Sequence, residues 1–228
     1  MYTYLLVDLL TISLPFVFSF EKRIGFAKKW KYVLPSILIV AAVFVTWDQY
    51  FTRRGVWGFN PKYVIGRYFL GLPLEEILFF FCIPFSCLFI YEVVRYLQKQ
   101  DALGGILKPF TNVLIGMLLL TAVWNVDRVY TSTTFLLMAV LLAVHLYVIK
   151  PDYLGYFFQM YLISLIPFLI VNGILTNGLR FIDAGPVVWY DNTENLSFRI
   201  LNIPVEDFIY SMLLLLLNTT VYEYFKKR

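Results

Sequence analysis

Two short acidic motifs, each at the start of a long apolar stretch, are the residues in this sequence best suited to chemistry. Each motif is a proline, one apolar residue and two acids, followed after fourteen residues by Tyr-Glu. The second copy lies 131 residues after the first, and repetition at a fixed offset indicates an internal repeat. The members are Pro73, Glu75, Glu76, Tyr91 and Glu92 in the first copy, and Pro204, Glu206, Asp207, Tyr222 and Glu223 in the second.

The acids that directly follow the two prolines are candidates for proton transfer. Acids after a proline are also an ordinary way to begin a helix, because the helix macrodipole favours negative charge there. Here the pair recurs in register, and the apolar run after it is barely long enough to cross a membrane, which places the acids at the hydrocarbon boundary. Ionised carboxylates at that depth are costly and are usually functional or paired, and a desolvated carboxyl group can donate a proton near neutral pH. The catalytic candidates are Glu75, Glu76, Glu206 and Asp207, and the first acid of each pair is expected to be the more important.

The acids at the far ends of the same stretches are predicted to be structural. Glu92 precedes Arg95 by three residues, and Glu223 precedes the Lys226-Lys227 pair by three and four, spacings typical of exposed ion pairs on one helix. Sixteen residues separate Glu76 from Glu92, which is about 24 Å along an α-helix, so the two cannot share a site.

The composition is that of a membrane protein. Hydrophobic residues make up 60% of the 228 residues and charged residues 15%, against about 45–50% and about 25% in soluble domains, and the mean hydropathy is +0.73. The modest positive charge lies largely in short loops, so nucleic-acid binding is not expected. Seven apolar stretches are predicted to span the membrane: Tyr4–Phe20, Tyr32–Trp47, Pro73–Val94, Phe110–Trp124, Thr134–Ile149, Phe157–Leu175 and Pro204–Tyr224.

The predicted fold is an all-α integral membrane protein with seven transmembrane helices in a 3+1+3 parallel internal repeat. Tyr4-Leu5-Leu6 recurs as Phe135-Leu136-Leu137 at the same offset, so spans one to three match spans five to seven and span four connects them. Matching spans are four crossings apart, which gives both halves the same orientation. The predicted units are a first repeat at 1–109, a connecting span at 110–130 and a second repeat at 131–228.

Lys and Arg are more frequent in the loops of one face, and the positive-inside rule assigns that face to the cytoplasm. With seven spans the N-terminus then lies outside, and the expected location is the plasma membrane. The basic residues on the cytoplasmic face are Lys22, Arg23, Lys28, Lys29, Lys31, Arg95, Lys99, Lys108, Lys150, Lys226, Lys227 and Arg228.

The long loops before the acidic motifs, and the span ends that lead into them, supply four candidate substrate-binding residues. Trp57 and Trp189 stand at similar distances before the two prolines, and aromatic faces attract positive charge. Asp48 at the end of the second span aligns with Asn172 at the end of the sixth. All four are expected at the same membrane face as the acid pairs.

No cofactor or metal is expected. The sequence has no G-x-G-x-x-G motif for a dinucleotide and no D-D-x-x-D cluster for a diphosphate. Cys82 and Cys87 lie in one apolar stretch and His145 stands alone in another, which is not a set of metal ligands.

The segments Trp57–Glu76, Val187–Tyr190 and Pro204–Asp207 resemble the membrane-integral lycopene cyclases, and the resemblance covers nearly the whole chain. In that family two homologous halves occur as separate subunits or as one fused chain, and the paired proline–acid motifs are implicated in activity. The resemblance implies a lycopene β-cyclase, an intramolecular lyase or isomerase of carotenoid biosynthesis that acts without a cofactor. Its expected substrate is lycopene from the bilayer, converted to β-carotene through γ-carotene. Assembly into a homo-oligomer is left open.

Such a cyclisation needs few protein groups. It begins with protonation of a terminal double bond, passes through carbocations and ends with loss of a ring proton, so an acid, a base and aromatic walls suffice. The alternative is a small transporter, because a 3+1+3 parallel repeat is also the plan of small sugar carriers with sites near the midplane. Here the polar residues gather at one end of the spans, which favours a lipophilic substrate that enters sideways.

Overall fold

The computed structural model describes residues 2–98, 103–180 and 185–228. Within them the body of the protein is helical, as the sequence predicts. The helices are α1 Thr3–Phe18, α2 Trp30–Arg53, α3 Leu74–Leu97, α4 Gly104–Trp124, α5 Val129–Ala143, α6 Leu154–Leu175 and α7 Val205–Lys227. A 3₁₀ turn at Phe26–Lys29 leads into α2, and α5 continues as a π-helical segment at Val144–Ile149.

Six helical segments of the described chain are long and apolar enough to cross a membrane, which confirms an all-α membrane protein. They are Phe26–Arg53, Leu74–Leu97, Gly104–Trp124, Val129–Ile149, Leu154–Leu175 and Val205–Lys227. The apolar helix α1 has 16 residues, about 24 Å of length against a hydrocarbon core of about 30 Å. A seventh span, and with it the 3+1+3 arrangement, therefore stays a prediction. Lys99, one of the basic residues used for the orientation, lies outside the described residues.

The two helices that follow the acidic motifs are the centre of the bundle. Helix α3 packs against α1, α2 and α6, and α7 packs against α2 and α5. Their apolar side chains, such as Leu88 on α3 and Leu216 on α7, are fully buried in one core. This position fixes the acids at the start of each helix between elements of both halves.

Six short strands lie in the loops before the acidic helices, which hydropathy does not predict. They are β1 Trp57–Phe59, β2 Tyr68–Phe69, β3 Leu72–Pro73, β4 Val188–Tyr190, β5 Arg199–Ile200 and β6 Ile203–Pro204. They form three antiparallel pairs: β1 with β4, β2 with β3, and β5 with β6.

The β2–β3 and β5–β6 hairpins occupy matching positions in the repeat, and each leads directly into the helix that begins with an acid pair. The central turn residues Leu70-Gly71 and Leu201-Asn202 all have left-handed backbone angles, which two-residue type I′ hairpin turns require. Pro73 closes the first hairpin opposite Tyr68, and Pro204 closes the second opposite Arg199. Each proline then caps the helix that begins at the next residue, so the hairpins set where the acids lie.

At the opposite end of the bundle, α3 and α7 exchange hydrogen bonds in a reciprocal pattern. The Tyr91 hydroxyl donates to Glu223 at 2.9 Å, and the Tyr222 hydroxyl donates to Glu92 at 2.7 Å. Arg95 likewise donates to Glu223 at 2.6 Å.

The basic partners of Glu92 come from other helices. Lys226 donates to Glu92 at 2.6 Å, and Lys29 from the turn before α2 donates to the same carboxylate. The predicted pair of Glu92 with Arg95 on one helix is therefore wrong, although Lys226 also lies 3.7 Å from Glu223 on its own helix. The prediction that these are exposed surface pairs is also wrong, because both carboxylates are buried.

Candidate active site

A cavity of about 700 Å³ lies between α1, α3, α6 and α7, beneath β1 and β4. This volume is within the range of about 300–1,000 Å³ common for ligand pockets. Most of its lining is apolar. Largely exposed lining residues include Leu10 at 71%, Leu14 at 66% and Phe18 at 53% on α1, and Ile170 at 53% on α6. The cavity therefore opens sideways between α1 and α6, on a surface that a bilayer would cover.

The second acid of each motif lines this cavity. Glu76 enters from the first turn of α3 and Asp207 from the first turn of α7, and both are buried. Asp48 on α2 and Asn172 on α6 line the same cavity, as does Trp57 on β1. The structure thus brings five of the eight predicted site residues together.

The first acid of each motif does not line the cavity. The backbone amide of Ile65 donates a hydrogen bond of 2.6 Å to Glu75, and that of Leu196 donates one of 2.7 Å to Glu206. Glu206 also accepts a hydrogen bond of 2.6 Å from the Thr131 hydroxyl. Both glutamates are fully buried, and they fasten the preceding loops to the helix starts. The expectation that Glu75 and Glu206 are the leading catalytic acids does not fit this placement.

Tyrosine hydroxyl groups bind both cavity acids. Tyr4 on α1 donates to Glu76. Tyr130 on α5 donates to Asp207 at 2.6 Å, and Tyr190 on β4 donates to its other oxygen at 2.7 Å. Burial and the neighbouring Asp207 raise the pKa of Tyr190 well above its usual value, so this phenol remains a neutral donor. No sequence pattern points to Tyr130 or Tyr190, because both reach Asp207 from elements distant in the chain.

An aromatic wall stands beside the acids. The ring of Trp57 lies 5.0 Å from Tyr130 and 6.2 Å from Tyr210, measured between ring centroids. Tyr130 and Tyr190 stack with an interplanar angle of 11° at 6.3 Å. Trp47 packs against Tyr210 at 5.2 Å from behind. The faces and edges of these rings surround the end of the cavity that Glu76 and Asp207 line.

Asp48 binds Trp57, one of the aromatic residues of this wall. Its carboxylate accepts a hydrogen bond from the indole nitrogen of Trp57. Asn172, its predicted counterpart, donates from its side-chain amide to the carbonyl of Phe168 on its own helix, at 3.3 Å. The two positions share the cavity but differ in both charge and partner.

Trp189 lies outside the cavity lining, and its side chain is 45% exposed. In the register of β1 with β4, Gly58 faces Trp189 and Trp57 faces Tyr190. A Cβ atom on Gly58 would lie 2.3 Å from the Trp189 ring, so the indole covers the glycine on the outer side of the strands. Val188 and Tyr190 are the β4 side chains that line the cavity, so the structure does not bring Trp189, an expected substrate-binding residue, into the cavity with Trp57.

Asp8 on α1 is a further buried acid, and it is not among the residues predicted from the sequence. It lies one helical turn after Tyr4 and is 1% exposed. Neither of its carboxyl oxygens has a hydrogen-bond partner among the described residues. Its charge interacts with those of Glu75 and Glu76. A single acid in an apolar helix is a signal that could have been used, since ionisable residues inside membrane helices are usually functional.

The described residues contain no group of three or more His, Cys, Asp or Glu side chains arranged as metal ligands. What the site does offer is two carboxyl groups, tyrosine donors and an apolar, aromatic cavity. These parts fit acid–base chemistry on an apolar molecule.

Comparison with known families agrees with this chemistry. The family model described as lycopene cyclase matches residues 1–94 and 127–225. The chain belongs to the lycopene cyclase family. Both acid pairs and both hairpins fall inside the matched residues.

Several fungal proteins named bifunctional lycopene cyclase/phytoene synthase are similar to parts of this chain. The protein of Phaeosphaeria nodorum is 31% identical over 70 residues, which is 31% of this chain and 12% of that protein. The Aspergillus niger protein is 35% identical over 91 residues, 36% of this chain and 16% of its own length. The Neurospora crassa protein is 24% identical over 110 residues, 44% of this chain and 18% of its own length. The matched segments thus span less than a fifth of these relatives, and no solved structure matches the chain significantly.

Proposed function

We propose that the protein is a lycopene cyclase that closes β-rings at the linear ends of lycopene and forms β-carotene through γ-carotene. One observation carries this proposal: Glu76 and Asp207, one from each acidic motif, face the same apolar cavity, which opens sideways between α1 and α6. A wholly apolar polyene dissolved in the bilayer would enter by that opening. Family membership and the fungal relatives' names support the same substrate.

The reaction would be an isomerisation without net oxidation or reduction. One carboxyl group protonates a terminal double bond, the resulting cation is attacked by a second double bond to form the ring, and a carboxylate removes a ring proton. Each ring therefore consumes one proton and releases one. Glu76 and Asp207 are the two groups placed to exchange these protons with a molecule in the cavity.

The aromatic wall would stabilise the carbocations of this reaction. Carbocations are attracted to the negative faces of aromatic rings, by about 2 kcal/mol or more where water is excluded. Trp57, Tyr130 and Tyr210 line the cavity beside the acids. They would stabilise the cation without supplying a nucleophile that captures it.

The two halves of the chain would form one site together. The family model matches residues 1–94 and 127–225, which supports a first repeat at 1–109, a connector at 110–130 and a second repeat at 131–228. The reciprocal bonds of Tyr91 with Glu223 and of Tyr222 with Glu92 agree with such a duplication. In this arrangement each half supplies one cavity acid.

We further propose a plasma-membrane protein with seven spans, its N-terminus outside and its C-terminus in the cytoplasm. The excess of Lys and Arg at the end of the bundle opposite the cavity acids supports this orientation. Reporter fusions at the two ends should locate to opposite sides of the membrane. Two ends on the same side would remove the odd number of spans and the parallel repeat.

The decisive experiment is expression in a bacterium that accumulates lycopene, followed by pigment analysis. Conversion to a cyclic carotenoid is expected for the wild type and not for the matched Glu76→Gln and Asp207→Asn double variant. Unchanged lycopene in cells that contain correctly inserted wild-type protein would overturn the proposal. A transporter, the alternative, would leave the pigment linear and change only its distribution.

A further inference from the structure

The two acids of the cavity have unlike surroundings, and this difference bears on their roles. Glu76 lies among other acids. Asp48 lines the same cavity as Glu76, Asp8 lies one helical turn after Tyr4, which binds Glu76, and all three carboxyl groups are buried. Among the ion pairs of the described chain, none involves these three carboxyl groups, and none involves Asp207.

A group of buried carboxyl groups without a cation retains protons, because like charges at short range in a low dielectric cannot all be ionised. Glu76 also faces the substrate cavity directly, whereas Asp8 does not line it. Of this group, Glu76 is thus well placed to pass a proton to a molecule in the cavity.

Asp207 also has a buried acid beside it, Glu206, but it accepts more hydrogen bonds than Glu76, which accepts one from Tyr4 on a single oxygen. Both of its oxygens accept hydrogen bonds from tyrosine hydroxyl groups, from Tyr130 at 2.6 Å and from Tyr190 at 2.7 Å. The guanidinium of Arg199 lies over the Tyr190 ring at 5.6 Å from its centroid. Hydrogen-bond donors on both oxygens and a nearby cation stabilise the ionised form of a carboxyl group.

We propose that Glu76 is the proton donor of the cyclisation and Asp207 is the proton acceptor. This assignment rests on the proposed function and divides one reaction between the two halves of the chain. Asp8 and Asp48 are positioning residues that keep Glu76 protonated, and Tyr130 and Tyr190 are positioning residues that keep Asp207 ionised.

Bonds and protons balance over one cycle of the reaction. The Glu76 carboxyl proton bonds to the terminal double bond and leaves a tertiary carbocation and a Glu76 carboxylate. The next double bond attacks this cation to close the ring, which moves the charge into the ring. The Asp207 carboxylate then takes a ring proton, whose electron pair forms the ring double bond. Transfer of one proton from Asp207 to Glu76, directly or through solvent, restores the starting state.

The assignment predicts different behaviour of the two single variants in D₂O. In Asp207→Asn the cation still forms but loses no ring proton, so it reverts through Glu76. The protonated carbon then carries one hydrogen and one deuterium, and molecules that lose the hydrogen are recovered as deuterated linear lycopene. In Glu76→Gln no cation forms, so the recovered lycopene carries none. Mass spectrometry of the recovered substrate from purified protein measures both outcomes. Glu21→Gln serves as the neutral control, because Glu21 is an exposed acid in the turn between α1 and α2 and does not line the cavity.

The ratio of deuterium in recovered lycopene to rings formed, measured in one sample, does not depend on how much of the protein is folded. Tyr190→Phe removes one of the two hydrogen bonds to Asp207, the proposed proton acceptor. The amount of deuterium in recovered lycopene per ring formed should then rise on the order of tenfold, as expected for loss of a hydrogen bond to a charged group. Tyr4→Phe changes only the donor side, so it should slow the reaction with this ratio unchanged.

Deuterated substrate from Glu76→Gln, none from Asp207→Asn, or a raised ratio in Tyr4→Phe but not in Tyr190→Phe would overturn the assignment. A wild type that closes no rings would instead overturn the proposed function, and the assignment with it.

Discussion

The backbone amide of Ile65 donates a hydrogen bond of 2.6 Å to Oε1 of Glu75, and the amide of Leu196, 131 residues later, donates one of 2.7 Å to Glu206. In each half the same acid thus holds the loop that carries its hairpin. Its neighbour in sequence, Glu76 or Asp207, turns into the cavity. Two adjacent acids therefore have different surroundings, since one binds a loop and the other faces the cavity.

This division predicts different outcomes for conservative and severe changes at Glu75. Glu75→Gln keeps an oxygen that can accept from Ile65, so most activity should remain. Glu75→Ala leaves a buried amide without an acceptor and should lower the free energy of unfolding by about 1–3 kcal/mol. Glu76→Gln should instead reduce cyclisation by about 10²–10⁴-fold with little change in stability.

Cyclisation rates per folded molecule and thermal unfolding in detergent distinguish the two effects. The matched comparison in the second half is Glu206→Gln with Asp207→Asn. If Glu75→Gln proved as inactive as Glu76→Gln while equally well folded, the structural role given to Glu75 would be wrong.

The reciprocal contacts between α3 and α7 predict that Glu223 stabilises the assembly of the two halves. Glu223→Gln weakens its bonds with Tyr91 and Arg95, and we expect a loss of about 1–3 kcal/mol in the free energy of unfolding. Glu92, buried against Lys226 and Tyr222, should behave alike. This loss exceeds the few tenths of a kcal/mol that an exposed helical pair would give.

A double-variant cycle of Glu223→Gln with Arg95→Met tests the contact itself. The two losses should not add, because both remove the same interaction. Additive losses would show that Arg95 and Glu223 act independently. Activity per folded molecule should stay near the wild-type value, since neither residue lines the cavity.

Hydropathy alone predicted most of the helical body, because a long apolar stretch has few other ways to satisfy its backbone in a bilayer. It could not decide which acid of a pair faces the cavity. Successive residues differ by about 100° around a helix, so Glu75 and Glu76 point to different neighbours, and only the packing of α3 selects between them.

Contacts between residues that are far apart in the sequence could not be predicted from it either. Tyr130 reaches Asp207 from 77 residues away, and the pairing of β1 with β4 joins loops of both halves. The strands have two or three residues, too short for an alternating pattern. For the same reason the sequence could not show that Trp189 lies opposite Gly58 and outside the cavity lining, because only the strand register reveals that pairing.

That register predicts a suppressor pair. In Gly58→Ala the new methyl group would lie 2.3 Å from the Trp189 ring, so the indole or the strand must move. We expect a loss of about 1–3 kcal/mol in stability and reduced activity, because β1 carries Trp57 into the cavity. Trp189→Ala removes the obstacle, so the double variant should regain most of what Gly58→Ala alone loses.

Thermal unfolding and cyclisation rates of the two single variants and the double variant provide the measurement. The single Trp189→Ala variant is the control, and it should retain most activity because its indole lies outside the cavity. If the double variant were as impaired as Gly58→Ala, the close packing of Trp189 on Gly58 would not be the cause.

The proposed formation of β-carotene requires one cavity to close two rings. Because Glu76 and Asp207 face the same cavity, donor and acceptor serve one linear end of the substrate at a time. After the first ring closes, the half-cyclised molecule has to leave through the opening between α1 and α6 and return with its other end first. We therefore expect the monocyclic product to accumulate before the bicyclic one and to exchange with the surrounding membrane. In liposomes given limiting isotope-labelled lycopene, an excess of unlabelled γ-carotene should trap the label as labelled γ-carotene and lower the yield of labelled β-carotene in proportion to its amount. Unlabelled β-carotene added as the control should leave the rate of formation of labelled product unchanged. Labelled β-carotene that forms without any labelled γ-carotene, in spite of the γ-carotene excess, would mean that both ends are cyclised in one encounter and would contradict the single shared cavity.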